Sequence, residues 1–412
     1  MVQVNPSAIP VNPVGVRPRL DFLDLLRGWI MIIMALDHVR DFFSHELFSF
    51  GPTDLDKTTL GFFFTRWITH FCAPVFCFLS GTGAFLSLTR GKSKHQVAYF
   101  LLTRGAWLVL LELTVVALSW TFNPAILLEP GGAVIWALGW SMIALAGLIY
   151  LPLWALATFA VVMIAGHNLL DPLVPAQFGR LSGLWDVLHE GGPFRILPNT
   201  TFFVAYPLVP WIGVMAAGFA FGAIVNRERT QRQRIMLWLG VGLTLAFVLL
   251  RAANVYGDPD AWSPHARGAL FTFLSFLNLQ KYPPSLLYLL MTLGPALVVL
   301  AILDRAGQPG RLLRPVLVFG RVPLFYYLLH IPLIHLLALG YSYAAFGGPT
   351  GLFTVEPFVA AFTGSTLYPP GYGISLPGVY LVWLIVVALL YLPCRWFAEL
   401  KQRRRDAWLS YL

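Results

Sequence analysis

Ten long apolar runs, separated by short segments that carry most of the basic residues, constrain this chain more than any other feature. The runs fall near residues 22–43, 60–88, 97–121, 133–150, 152–170, 201–225, 235–254, 285–304, 316–340 and 378–397. A helix needs about 20 mostly apolar residues to cross a bilayer, and each run approaches or exceeds that length. Only 11% of the 412 residues are charged, with a mean hydropathy of +0.71, too few charges to solvate a soluble domain of this size. The expectation is an all-α, polytopic membrane helical bundle of about ten transmembrane helices. The stretch Leu270 to Leu279 is too short to span and is expected at the interface or as a re-entrant segment.

Charge placement tests the count independently. With the N-terminus in the cytoplasm and sides alternating, Arg17, Arg19 and Arg27 fall inside. So do Arg90, Lys92, Lys94 and Arg104, the cluster Arg227–Arg234, the cluster Arg305–Arg321, and the segment Arg395–Arg405. Acidic residues such as Asp54, Asp56, Glu129, Asp186, Glu190, Asp258 and Glu356 fall outside. This asymmetry satisfies the positive-inside rule and predicts both termini in the cytoplasm. The net charge of +9 therefore speaks for topology and the lipid bilayer, not for nucleic acid. The expected organisation is an extended tail over 1–20, a transmembrane unit over 21–398 and a basic tail over 399–412. The tail is broken by Pro6, Pro10, Pro13 and Pro18 and has no apolar core ending in a cleavage site, so no removable signal peptide is expected. The outer segments 171–200, 255–284 and 341–377, rich in Pro, Gly and aromatics, read as ordered lids. Gly218 and Gly222 form a small-xxx-small pair suited to close helix packing.

Ionisable groups inside a span are costly and are functional candidates by default. At 100° per residue, Arg27, His38, Asp41 and His45 fall within roughly 60° of one another along the first helix. Asp37 or Asp41 is placed to orient an imidazole and stabilise its protonated form, as a general base requires. The plainer alternative is a polar cap at the membrane interface. Arg66 and His70 lie one turn apart in the second run, with His70 equally open to a packing role. His330 and His335 stand about 140° apart around the ninth helix, so one of them, His330 by preference, is expected at a site unless Pro332 bends the helix. Glu112, mid-span, must be paired or protonated. Lys281, Tyr282 and Ser285 enter the eighth helix, where Lys281 either meets an anion or snorkels. Cys72, Cys77 and Cys394 show neither disulfide nor metal-ligand spacing, and no metal site is expected.

Arg27-x10-His38 resembles the signature of membrane-bound acyltransferases that O-acetylate surface sugars. A larger set is similar to the heparan-alpha-glucosaminide N-acetyltransferase-like family of bacterial membrane proteins: Leu25-Leu-Arg-Gly, Ala35-Leu-Asp-His-Val-Arg-Asp-Phe-Phe, Thr69-His-Phe-Cys-Ala-Pro-Val-Phe, Tyr206-Pro-Leu-Val-Pro-Trp-Ile-Gly, Lys281-Tyr-Pro-Pro-Ser-Leu-Leu and Pro323-Leu-Phe-Tyr-Tyr-Leu-Leu-His. The resemblance implies transfer of an acetyl or other acyl group from cytoplasmic acyl-CoA to a sugar or glycan acceptor on the far side of the bacterial cytoplasmic membrane. It implies catalytic roles for His38, His45, Asp41, Asp37 and His70, and acyl-CoA contacts from Arg27, Lys281, Tyr282, Ser285 and His330. The lysosomal members carry Asn at the place of His38 and their histidine further along, which leaves His38 and His45 both as the base. The long luminal domain of those members has no counterpart here, so a heparan-like acceptor is not carried over. Direct attack on the thioester is the expected mechanism, with a covalent acyl-histidine or acyl-cysteine step as the alternative. A transporter or flippase of a polar solute or lipid-linked sugar is the rival reading, and a membrane scaffold the third; a homo-oligomer stays open.

Overall fold

The computed structural model describes residues 20–46, 49–197, 200–349, 351–353, 371–404 and 406–412. The tail 1–19, Arg405 and residues 354–370 of the segment 341–377, Glu356 included, lie outside the described residues. Helices dominate. Among the described residues eight are long and apolar enough to cross a membrane: Leu60–Thr89, Lys94–Thr121, Leu153–Leu170, Leu208–Val225, Arg229–Ala253, Leu286–Ala306, Pro323–Phe346 and Leu376–Arg403. The chain is thus an integral multi-pass membrane protein. Two further helices share the bundle: α1 (Asp21–Phe43), long enough but carrying six charged side chains, and the shorter Val134–Leu148.

The run over 60–88 is not one straight helix. It divides into α2 (Leu60–Thr69) and α3 (Cys72–Thr89). Pro74 has no N–H to give the carbonyl four residues back, which is that of His70. The hydroxyl of Tyr288 donates to that carbonyl instead, at 2.7 Å. The next helix, α4 (Lys94–Thr121), passes through a π turn at Glu112–Val116. There the Glu112 carboxylate accepts from the N–H groups of Ile135 and Trp136 at 3.0 and 3.3 Å, capping the start of α5 (Val134–Leu148). That is where a carboxylate satisfies orphan amides and the positive end of a helix dipole.

A turn at Leu151-Pro152 leads to α6 (Leu153–Gly166). The apolar run that opens at residue 201 begins as a strand rather than a helix. Gly131–Gly132 (β1), Gly192–Leu197 (β2) and Thr200–Val204 (β3) make a small sheet in the order β1-β3-β2, and α7 (Leu208–Val225) starts only after Pro207. After α8 (Arg229–Ala253), the buried guanidinium of Arg251 donates to the carbonyls of Asp260, Ser275, Phe276 and Asn278 at 2.7–3.0 Å. It pins the segment around the nine-residue α9 (Ala269–Leu277), too short to span. The helices α10 (Leu286–Ala306), α11 (Arg314–Arg321), α12 (Pro323–Phe346) and α13 (Leu376–Arg403) complete the bundle.

The most charged helix is the most enclosed. α1 packs against α2, α3, α10, α11, α12 and α13. Its contact with α11 is backbone-close: a Cβ on Gly320 would fall 1.7 Å from the Asp24 carbonyl oxygen, and one on Gly28 1.9 Å from that of Val316. Glycine is required at both positions.

Candidate active site

The last two turns of α1 hold Asp37, His38, Arg40 and Asp41 among its six helical neighbours. Arg40 is 3% exposed and ties the two carboxylates together, with Nη1 at 2.7 Å from Asp37 and Nη2 donating to Asp41 at 2.8 Å. From α2, Arg66 Nη1 donates to both oxygens of Asp37, at 2.9 and 2.7 Å, and the Thr69 hydroxyl donates to one of them at 2.9 Å. Asp37 is thereby a saturated ionic hub. Asp41 plays a different part: its Oδ2 lies 3.2 Å from Nδ1 of His38. A carboxylate partner fixes the proton on Nδ1 and leaves a lone pair on Nε2.

Although α1 is surrounded by protein, these side chains are not sealed. His38 keeps 17% of its side-chain surface and Asp37 12%, so an internal crevice reaches them. One wall is aromatic. The His38 ring meets Trp120 edge-on at 5.0 Å and His330 at 5.1 Å between centroids. His330 is fully buried, its Nδ1 faces the Tyr327 carbonyl at 2.5 Å, and its Nε2 has no partner among the described residues. Two imidazoles thus stand side by side, each with one nitrogen engaged. His335 also turns toward α1, packing on Phe42 at 5.0 Å with Nδ1 on the Ser119 carbonyl at 3.0 Å. Both α12 histidines therefore face the central helix.

On the other side, His70 is buried at the α2–α3 break, its ring 5.4 Å from Tyr288 and its Nδ1 unpartnered. Lys281, 9% exposed, projects its Nζ to 5.1 Å from the Tyr282 ring centroid and acts electrostatically on Asp37 and His70. Burial works to raise the Tyr282 hydroxyl, but Lys281 and Arg66 outweigh it and hold the group below the ordinary tyrosine range. Positive potential prevails at this end of the crevice.

Two of the residues expected at a site are placed elsewhere, and a third keeps its distance from His38. The stripe on α1 stops before His45: the helix ends at Phe43, Ser44 is extended, and His45 is an exposed turn residue whose amide donates to the Ile374 carbonyl at 3.1 Å. Ser285 is 1% exposed and committed locally, accepting from the Tyr288 amide at 3.1 Å and donating to Asp258 at 2.6 Å. Arg27 sits at the opposite end of α1, paired with Asp24 at 2.8 Å and donating to the Leu79 carbonyl at 3.4 Å. Arg40, Thr69, Trp120 and Tyr288 join the site unanticipated. Arg40 was legible as a buried charge between two aspartates, whereas the other three depend on which helices meet.

Cys72 and Cys77 are buried and donate weakly to the carbonyls of Ile30 and Trp211, at 3.7 and 3.2 Å. Among the described residues no cluster of His, Cys, Asp or Glu is arranged to hold a metal ion.

A multi-pass helical protein with a carboxylate-oriented imidazole in a crevice inside its bundle belongs to the class of membrane-embedded proteins built to do chemistry between their helices. The chain belongs to the heparan-alpha-glucosaminide N-acetyltransferase catalytic family, whose model matches residues 19–252. Membership implies a membrane N-acetyltransferase-like activity, and the family draws its acetyl group from acetyl-CoA. The match includes α1 to α8, and with them Asp37, His38, Asp41, Arg66 and His70, while Lys281 and His330 lie beyond it. No curated protein matches the chain.

Proposed function

We propose that the protein is a membrane-bound acyltransferase that moves an acetyl group from cytoplasmic acetyl-CoA to a sugar or glycan acceptor on the extracytoplasmic side. In this reading α1 and α5 join the eight apolar helices as spans, both termini are cytoplasmic, and the transferase unit covers 21–398. Arg27 and the basic residues around it hold the phosphates of CoA. The thioester must then reach His38, eleven residues along α1 and roughly 16 Å away at 1.5 Å per residue.

The observation that carries the reading is the His38–Asp41 pair, 3.2 Å apart, opening on a crevice beside a second imidazole. His38 Nε2 takes the proton from the acceptor amine or hydroxyl as its nitrogen or oxygen bonds to the acetyl carbonyl carbon. The carbon–sulfur bond breaks, and the imidazolium returns the proton to the departing thiolate, giving acetylated acceptor and free CoA. Asp41 stabilises the imidazolium in between. The buried, carbonyl-bonded thiols of Cys72 and Cys77 favour direct transfer over an acyl-cysteine.

Purified protein supplied with radiolabelled acetyl-CoA and a panel of amino sugars and glycans tests this. Label should move to an acceptor and vanish in His38→Ala. Solute uptake without acyl transfer, or full transfer in His38→Ala, would overturn it.

A further inference from the structure

We infer that Lys281, backed by Arg66, forms an anion subsite at the Arg66–Asp37 end of the crevice that selects acetyl acceptors bearing a carboxylate or a phosphate; the inference rests on the acyl-transfer reading and specifies its acceptor. The charges at this end of the crevice do not balance. Arg40, Arg66 and Lys281 face Asp37 and Asp41, and the two arginines already saturate Asp37 and, through Arg40, engage Asp41. Among the described residues no carboxylate stands within ion-pair distance of Lys281 and its ammonium makes no hydrogen bond; its one close partner is the Tyr282 ring. A lysine that is nine-tenths buried and whose ammonium makes no close ion pair is costly. A bound anion supplies what is missing.

The backbone that carries the ammonium is also held in place. Lys281 pairs with Pro284 in an isolated bridge. On either side of it, Asp258 accepts from the Gln280 amide at 3.0 Å and the Ser285 hydroxyl at 2.6 Å. Fixing a charged group before its ligand arrives lowers the ordering cost of binding. The depressed Tyr282 hydroxyl reports the same positive field.

Position assigns the anion to the acceptor and not to CoA. Lys281 acts on Asp37, the neighbour of His38 in sequence, whereas Arg27 lies ten residues back along α1, roughly 15 Å away at 1.5 Å per residue. One phosphate cluster cannot meet both. With acetyl-CoA entering from the Arg27 end, the group that meets Lys281 is carried by the acceptor.

Three acceptors with the same amine separate the sources of charge: glucosamine, glucosamine 6-phosphate and muramic acid, which adds a carboxylate. In transfer assays kcat/KM should favour at least one charged acceptor over glucosamine by about tenfold, the scale of one charge-assisted hydrogen bond. That ratio should fall toward one in Lys281→Gln and survive in Lys281→Arg. In parallel, thermal shifts without acetyl-CoA should be larger with the charged sugar than with glucosamine, and Lys281→Gln should erase the difference. Absence of transfer to every acceptor would count against the acyltransferase reading while the thermal shifts still decide the subsite. Equal handling of neutral and charged sugars in both assays, or a rise in the KM for acetyl-CoA as the main effect of Lys281→Gln, overturns the subsite.

Discussion

His38 and His330, from helices far apart in the chain, bring their ring centroids to 5.1 Å, and the Nε2 of His330 has no partner among the described residues. An unpaired buried nitrogen costs free energy, and a substrate proton directed at it recovers that cost. Removing the His38 imidazole should lower kcat by about 10²–10⁴-fold, the usual worth of a general base. His330→Ala should cost less, about tenfold or more, and the double variant less than the product, because groups acting on one proton are not additive. Steady-state kinetics check this. A His330→Ala enzyme with kcat within twofold of the parent would leave His330 a packing residue.

Asp41 and Asp37 are one turn apart on α1 and should separate cleanly under mutation. Asp41 alone touches His38, so Asp41→Asn should lower kcat on the order of 10²-fold, by losing the charge that stabilises the imidazolium, with little change in the KM for acetyl-CoA. A changed KM with kcat intact would mean that Asp41 shapes binding instead.

The Asp37–Arg66 contact should be read in stability. Truncating one partner of a buried pair typically costs about 3–5 kcal/mol because the other charge is left stranded, and Arg40 remains to share the Asp37 charge. Arg66→Ala should therefore sit at the low end of that range, about 3 kcal/mol, with Arg66→Lys recovering part of it. Thermal melting in detergent measures both. An Arg66→Ala protein melting like the parent would show that Arg40 and Thr69 suffice.

How far these features could be read from the sequence follows from their physics. Membrane helices announce themselves because lipid imposes a composition on every turn, so the apolar runs and the charges of α1 were visible without a fold. The His38–Asp41 pair was accessible too, being three residues apart on one helix face. Pro74 does not by itself locate the break at His70, because a proline shows only that a carbonyl loses its partner. Whether the helix bends or breaks depends on a distant donor, here Tyr288. His45 was assigned to the stripe since nothing local signals that α1 ends at Phe43; the Ile374 carbonyl that receives the His45 amide is over three hundred residues away. The angular separation of His330 and His335 allows only one of them at a site unless Pro332 bends the helix. The two meet different levels of α1, His38 and Phe42, a separation that a helical wheel collapses into one circle.

Close helix crossings supply a prediction independent of catalysis. Where α3 meets α7, a Cβ on Gly218 would fall 1.9 Å from the Phe78 carbonyl oxygen, and one on Gly81 2.0 Å from that of Met215. The contacts are reciprocal and made to backbone, so no side chain can rotate aside and the helices must part. Without a hydrophobic force between helices in lipid, such close approach is a main source of their association. Gly218→Ala and Gly81→Ala should each destabilise by about 1–3 kcal/mol, the usual cost of overpacking. Gly242 and Gly340 are helical glycines with nothing within 4 Å of a built Cβ. Alanine there removes only glycine's poor helix propensity and should be neutral or stabilising by up to about 1 kcal/mol. Melting temperatures of the four variants in one detergent give the comparison, and equal behaviour of the two pairs would mean that the α3–α7 crossing is looser than these distances require.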